Sequence, residues 1–195
     1  SRTAWPSAAG DRRYPVSSDI DADTVFGPDW HRADDGVYER RAARVILVDP
    51  SGRVLLLHGF DVDDPTVQWW FTIGGGIDDG EDIRAAAVRE VAEETGLTVR
   101  ADDLVGPVAV RRPTFPYFGR TCRQEETLFL ARVEDASGVS AHGWTDVERA
   151  SVDELRWWSP DELATTTQTV YPPHLAGLVT TLLAHGWDGS TRTID

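Results

Sequence analysis

Residues 74–97 constrain this chain more than any other stretch. They run Gly74-Gly75-Gly76-Ile77-Asp78-Asp79-Gly80-Glu81, continue from Asp82 to Val88, and close on Arg89-Glu90-Val91-Ala92-Glu93-Glu94-Thr95-Gly96-Leu97. A glycine loop leads into a helix. Asp82 is a good N-cap, Ile83, Ala85, Ala86, Ala87, Val88 and Val91 are helix-forming or apolar, and Gly96 stands where a left-handed residue stops a helix. At 100° per residue, Glu90, Glu93 and Glu94 fall within an arc of roughly 100° on one side. Like charges at i, i+3 and i+4 disfavour a helix by a few tenths of a kcal/mol per pair. A cation in front of them is therefore expected. Arg89 can pair with Glu93, but one arginine cannot neutralise three carboxylates.

Taken alone, the Arg-Glu-x-x-Glu-Glu stretch is compatible with a solvated charged face. The longer pattern is more specific. Gly75, Glu81, Arg89, Glu90, Glu93, Glu94 and Gly96, with apolar Val91 and Leu97, keep the spacing of the Nudix signature without a gap over residues 75–97. The chain thus resembles the Nudix hydrolases. That resemblance implies an α/β fold, a mixed β-sheet sandwiched between α-helices. It implies magnesium or manganese on Glu90, Glu93 and Glu94, with help from the Gly75 carbonyl. Glu81 and Arg89 are then expected to hold helix and loop in position by ion pairing. Many family members carry proline just before the glycines, where this chain has Ile73. That position lies outside the signature.

The chemistry suits the residues. Magnesium takes hard oxygen ligands, keeps several waters and is usually shared with substrate phosphates. Carboxylates on one helix face give a rigid half-shell with an open side. A diphosphate adds negative charge to a site already holding three, and like charges 4 Å apart cost about 4 kcal/mol per pair at an effective dielectric of 20. Divalent ions turn that repulsion into attraction and can activate a water. The formal net charge of −14 makes the same point for the whole protein. It also argues against nucleic-acid polymers and anionic membranes as partners, which call for basic stripes.

The length of 195 residues suits one domain with an extension. Residues 1–36 read as an irregular N-terminal extension whose aromatics (Trp5, Tyr14, Phe26, Trp30) pack on the domain or on a second subunit; Asp19, Asp21 and Asp23 read as a solvated acidic run. Residues 37–187 are expected to form the Nudix hydrolase domain that the resemblance implies, and 188–195 a C-terminal tail. The longest apolar runs, Val45–Val48 and Val54–Leu57, are strand-sized, so no membrane-spanning helix is expected. A single cysteine, Cys122, and no secretory apolar stretch suit the cytoplasm. A homodimer accords with the family resemblance, although no residues that would drive it stand out.

Arg41–Val48 and Arg53–His58 read as a hairpin about the turn Asp49-Pro50-Ser51-Gly52, with His58 a surface or hydrogen-bonded histidine. Val67–Ile73 is a strand delivering the glycine loop, and Leu104–Val110 another. Residues 111–120 read as a loop or twisted hairpin arm. Arg111, Arg112, Phe115 and Tyr117 are its candidate substrate-binding residues, guanidinium for phosphate and ring faces for a base; a turn with partly buried rings is the plainer alternative. Pro113 resembles a proline of the ADP-ribose-hydrolysing branch. In the strand Thr121–Val133, alternation puts Gln124, Glu126, Leu128 and Leu130 on one face. Related proteins often supply a further glutamate from this region as metal ligand or general base, and Glu126 fits better than Glu125, because a charge among leucines wants a partner. The general base stays open between Glu90 and Glu126. Trp157 and Trp158 read as core, Ser159–Glu162 as a capping box, and Leu175–Ala184 as a last helix ended by Gly186.

Two functions from different classes follow. One is a metal-dependent hydrolase cleaving the pyrophosphate bond of a nucleoside diphosphate linked to another moiety, such as ADP-ribose, another nucleotide sugar or a modified nucleoside triphosphate. The other is a Nudix-fold regulatory module that binds a nucleotide without hydrolysing it.

Overall fold

The computed structural model describes residues 26–62, 64–117 and 119–195. The expectations for Trp5, Tyr14 and the aspartates at 19, 21 and 23 lie outside the described residues. Among the described residues ten strands form one mixed sheet: β1 (His31–Arg32), β2 (Tyr38–Val48), β3 (Val54–Phe60), β4 (Gln68–Gly76), β5 (Val105–Arg111), β6 (Thr114–Tyr117), β7 (Arg120–Arg132), β8 (Val152–Trp158), β9 (Val170–Tyr171) and β10 (Arg192–Thr193). Among the described residues four α-helices accompany them: α1 (Ile83–Thr95), α2 (Asp146–Ser151), α3 (Pro160–Thr165) and α4 (Leu175–His185).

The long central strand β2 runs parallel to β7 along its whole length, from Tyr38↔Cys122 to Val48↔Arg132. On its other side it pairs antiparallel with the end of β4, Ala42↔Gly76 to Val45↔Ile73. The expected β2–β3 hairpin exists at its turn, where the Gly52 N–H donates to the Asp49 carbonyl at 3.0 Å. It parts at once: the register pairs only Val48 with Val54. β3 turns instead to the first half of β4 and to β8. The sheet forks at β4, and the fork carries the glycine end of β4 to β2. Gly74–Gly76, expected to be a loop, are therefore the paired end of a strand.

Because helices cover both faces, the central strands are apolar on both sides, the pattern of a doubly covered sheet. Ala43, Val45, Leu47, Ile73 and Phe129 pack under Ala86, Ala87 and Val91 of α1. On the opposite face Ile46, Val48, Leu56, Leu128 and Leu130 pack under Leu175, Leu178, Val179 and Leu182 of α4, with Trp158 buried between. The sandwich is the one expected. Trp157 packs against the first cluster, and Ser159 and Glu162 form the capping box at the start of α3. A third, smaller cluster joins Phe26, Trp30 and Cys122 to Tyr38, Phe115 and Tyr117. Part of the C-terminal tail extends the sheet, since β10 lies parallel to β5 with Arg192 opposite Ala109.

Candidate active site

Helix α1 starts and stops where its sequence says it should. The Asp82 carboxylate accepts from the Arg84 and Ala85 N–H groups, and Gly96 closes the helix at φ 70°. This fixes the rotation of the helix and so the direction of its glutamates. Glu90 and Glu94 turn inward and are buried, whereas the Glu93 side chain is 52% exposed. Gly75 faces Glu90: a Cβ at this position would lie 2.6 Å from Glu90 Oε2. Glycine is what lets the strand end approach the carboxylate. Glu94 Oε2 accepts the Gly74 N–H at 2.6 Å, and the Glu94 carbonyl accepts from Trp144 Nε1 at 2.9 Å, which anchors the 134–145 loop on the helix.

Arg89 ties these parts together. Its Nε and one terminal nitrogen fork onto the two oxygens of Glu81, each at 2.9 Å, and the second of these also donates to the Gly76 carbonyl at 2.9 Å. The other terminal nitrogen is shared by Glu90 at 2.7 Å and Glu93 at 3.1 Å. The hydrogen bond from Arg89 holds the Glu81 carboxyl below the usual carboxylate range against the opposing effect of burial. Burial pushes Glu90 up, with Arg89 pulling the other way. Its burial makes an ionised Glu90 dependent on a cation beside it. Among the described residues no three His, Cys, Asp or Glu side chains converge on one point. Two of the three expected carboxylates already converge on a shared cationic nitrogen, and the third faces the glycine strand.

The other predicted residues separate into three places. Glu126 is buried on the Leu128 side of β7, with Arg44 Nε 3.6 Å and Arg111 Nε 3.2 Å from its oxygens, and it accepts a hydrogen bond from Gln124. Arg111 is thus a buried strand residue, not part of a loop. Arg112, one residue on, points to solvent and pairs with Glu125 at 2.8 Å. Phe115 and Tyr117 belong to the third aromatic cluster, where Tyr117 stacks on Trp30 at 6.3 Å between centroids. The four candidate substrate residues are not brought together. Arg44 is the residue that sequence reasoning missed. Its signal was an arginine inside the apolar run Ala42–Val48, which demands a buried acceptor. His58 is hydrogen-bonded as expected, with Nδ1 2.6 Å from Asp153 Oδ1.

A family model for the NUDIX domain matches residues 38–177. This chain belongs to the Nudix family. An RNA pyrophosphohydrolase of Novosphingobium aromaticivorans is 34% identical over 142 residues, 66% of this chain and 82% of that protein. A putative 8-oxo-dGTP diphosphatase of Bacillus subtilis is 28% identical over 123 residues, 63% of this chain and 68% of that one. A MutT protein from Bacillus halodurans shares the fold, with a TM-score of 0.51 at 22% identity over 78% of this chain and 87% of its own. The protein is a Nudix hydrolase, an enzyme of phosphoanhydride bonds.

In this Nudix enzyme an open cleft of about 690 Å³ runs beside the 78–81 loop, lined by Asp78, Gly80, Glu81, Arg41, Arg112 and Asp29 among others. Arg41 is exposed and, among the described residues, makes no ion pair. The remaining arginines of the cleft are engaged: Arg40 with Asp29 at 2.9 Å, Arg123 with Asp35 at 3.2 Å and with Glu39, and Arg112 with Glu125. No helix among the described residues is long and apolar enough to cross a membrane.

Proposed function

We propose that the enzyme is divalent-metal-dependent and cleaves a pyrophosphate bond in a small nucleotide, a nucleoside diphosphate carrying another group. One observation carries this reading: a single guanidinium nitrogen bridges Glu90 and Glu93 directly beside Gly75, whose missing Cβ leaves room for Glu90. Carboxylates that share one cation in this way can share another, and their oxygens are the hard donors magnesium or manganese prefers. Glu90, Glu93, Glu94 and the Gly75 carbonyl would hold the metal, which when bound supplies positive charge for the phosphates and acidifies water.

The rest is the work of the chain itself. Arg89 and Glu81 brace the glycine strand against the helix, so that Glu90 keeps its place. Glu90, buried and raised in proton affinity, is suited to take a proton from water within hydrogen-bond reach. Glu126 is less suited to that role, because its oxygens already face Arg44 and Arg111 and accept from Gln124. Its metal-binding role is likewise not supported by a partner among the box carboxylates.

The test is a panel of ADP-ribose, other nucleotide sugars, nucleoside triphosphates and dinucleoside polyphosphates, with magnesium, manganese or chelator. Release of nucleotide or phosphate only with metal is expected. Glu94→Gln keeps an acceptor for the Gly74 N–H, so the fold should persist while turnover drops by about 100-fold or more. Calorimetry showing no metal association, with or without nucleotide, would overturn the reading. A relative named an RNA pyrophosphohydrolase brings RNA into the same panel as a second candidate substrate, against the expectation that the net charge sets. The single cysteine suits a reducing cytoplasm.

A further inference from the structure

On the face of the sheet opposite α1, two buried arginines meet one buried glutamate. Arg44 is 9% exposed, Arg111 7% and Glu126 8%. Arg44 is tied down: one terminal nitrogen donates to the Thr72 carbonyl at 3.2 Å and to the Gly74 carbonyl, and its Nε lies 3.6 Å from Glu126. It therefore fastens the cluster to the glycine strand of the catalytic box. Arg111 is different. Glu126 Oε2 lies 3.2 Å from its Nε but off the N–H direction, and that enclosed Nε has no hydrogen-bond acceptor. No acceptor meets any of its other donors among the described residues. Burial lowers its proton affinity, with Glu126 only partly offsetting the effect. The half-exposed Tyr171 ring stands 5.6 Å from the guanidinium carbon.

An enclosed N–H without an acceptor is costly, and the terminal nitrogens of Arg111, which are not enclosed, are open to an acceptor from outside. We propose that Arg111 reads the base of the substrate, taking a purine edge with two adjacent acceptors, as guanine presents at O6 and N7, with Tyr171 as the apolar wall beside it. This rests on the nucleotide hydrolysis proposed above. A phosphate is the poorer occupant: it would bring its charge against the Glu126 carboxylate already at Arg111, and like charges at such range repel by kilocalories. A neutral acceptor edge meets the same donors without that repulsion. The planar fork of arginine matches O6 and N7 together, whereas adenine presents an amino donor at position 6. Arg44 places this reading head on the same framework as Gly74, the neighbour of Gly75.

The test is binding of GMP, IMP, 7-deaza-GMP and AMP to the full chain by calorimetry, followed by kcat/KM for GTP and ATP. GMP and IMP, which share O6 and N7, should bind alike, about 10–100-fold tighter than AMP, with 7-deaza-GMP weakened by the loss of N7. Arg111→Lys keeps the charge and loses the fork, and Arg111→Met loses both; in each the guanine-to-adenine ratio of kcat/KM should collapse toward one. If 7-deaza-GMP binds as well as GMP, or IMP as poorly as AMP, base reading by Arg111 is wrong. Equal loss of guanine and adenine substrates in a folded variant would also overturn it. Should neither variant fold, the four nucleotides decide on the unaltered protein. Base-selective binding without any hydrolysis would sink the hydrolase reading and leave this one standing.

Discussion

At the scale of single residues the site depends on one missing carbon. Gly75 has an ordinary negative-φ backbone, so its requirement is for space and not for conformation. Gly75→Ala would put a methyl 2.6 Å from Glu90 Oε2, and the carboxylate, being the far end of a flexible side chain, would swing aside. Stability should change by no more than about 1 kcal/mol, while kcat/KM falls by roughly 10–100-fold. Thermal melts beside steady-state kinetics separate the two effects; unchanged kinetics would mean that Glu90 need not lie against the strand. The same scale shows where sequence reasoning stopped. Arg111 and Arg112 are neighbours with the same chemistry, and only the pairing of Arg111 with Glu126 across β5 and β7 buries one and exposes the other. Register of that kind is a long-range property. Phe115 and Tyr117 look equally available to a base in the sequence, yet Phe26 and Trp30, more than eighty residues away, claim them.

Among the elements, α1 was legible because all its signals are local. Asp82 and Gly96 mark its ends, and the spacing of three glutamates sets them on one side of it. The glycines before it were misread for the opposite reason. Glycine permits a loop or a closely approached strand equally well, and only the forking of the sheet decides between them. The helix ends also give a stability prediction. Asp82→Ala removes the acceptor for two N–H groups and should cost about 1 kcal/mol. Gly96→Ala places a side chain at φ 70°, with its Cβ 2.5 Å from Ser140 Oγ, and should cost about 1 kcal/mol or somewhat more. Urea midpoints would report both. Because α1 carries the box carboxylates, each change should also weaken metal association; a loss of stability with metal binding intact would show that the ends fray without moving Glu90.

For the whole molecule, the described part of the N-terminal extension is a structural cover. Phe26 stacks on Tyr38 at 4.1 Å, Trp30 on Tyr117, and the Arg40 guanidinium lies 4.3 Å over the Trp30 ring. Beneath them Cys122 is sealed from solvent. Burial pushes its thiol up to about 11, with nearby Arg40 opposing slightly. An unfolded chain ionises this thiol near about 8.5. Between those values the unfolded state has released a proton that the native state keeps, so folding stability must fall as pH rises through that window. Cys122→Ala removes this slope, and by pH 10 the native protein should have lost on the order of 2 kcal/mol relative to the variant. The same cover predicts slow labelling of Cys122 by a thiol reagent at pH 8, where little thiolate exists and none is accessible. Trp30→Ala opens the cover and should speed labelling by roughly tenfold or more, since each 1.4 kcal/mol of lost closure is a factor of ten. Equal labelling rates in the two proteins would mean that the segment from Phe26 to Trp30 lies loosely on the sheet, in which case the cleft beside the 78–81 loop would lose the wall that Asp29 now gives it.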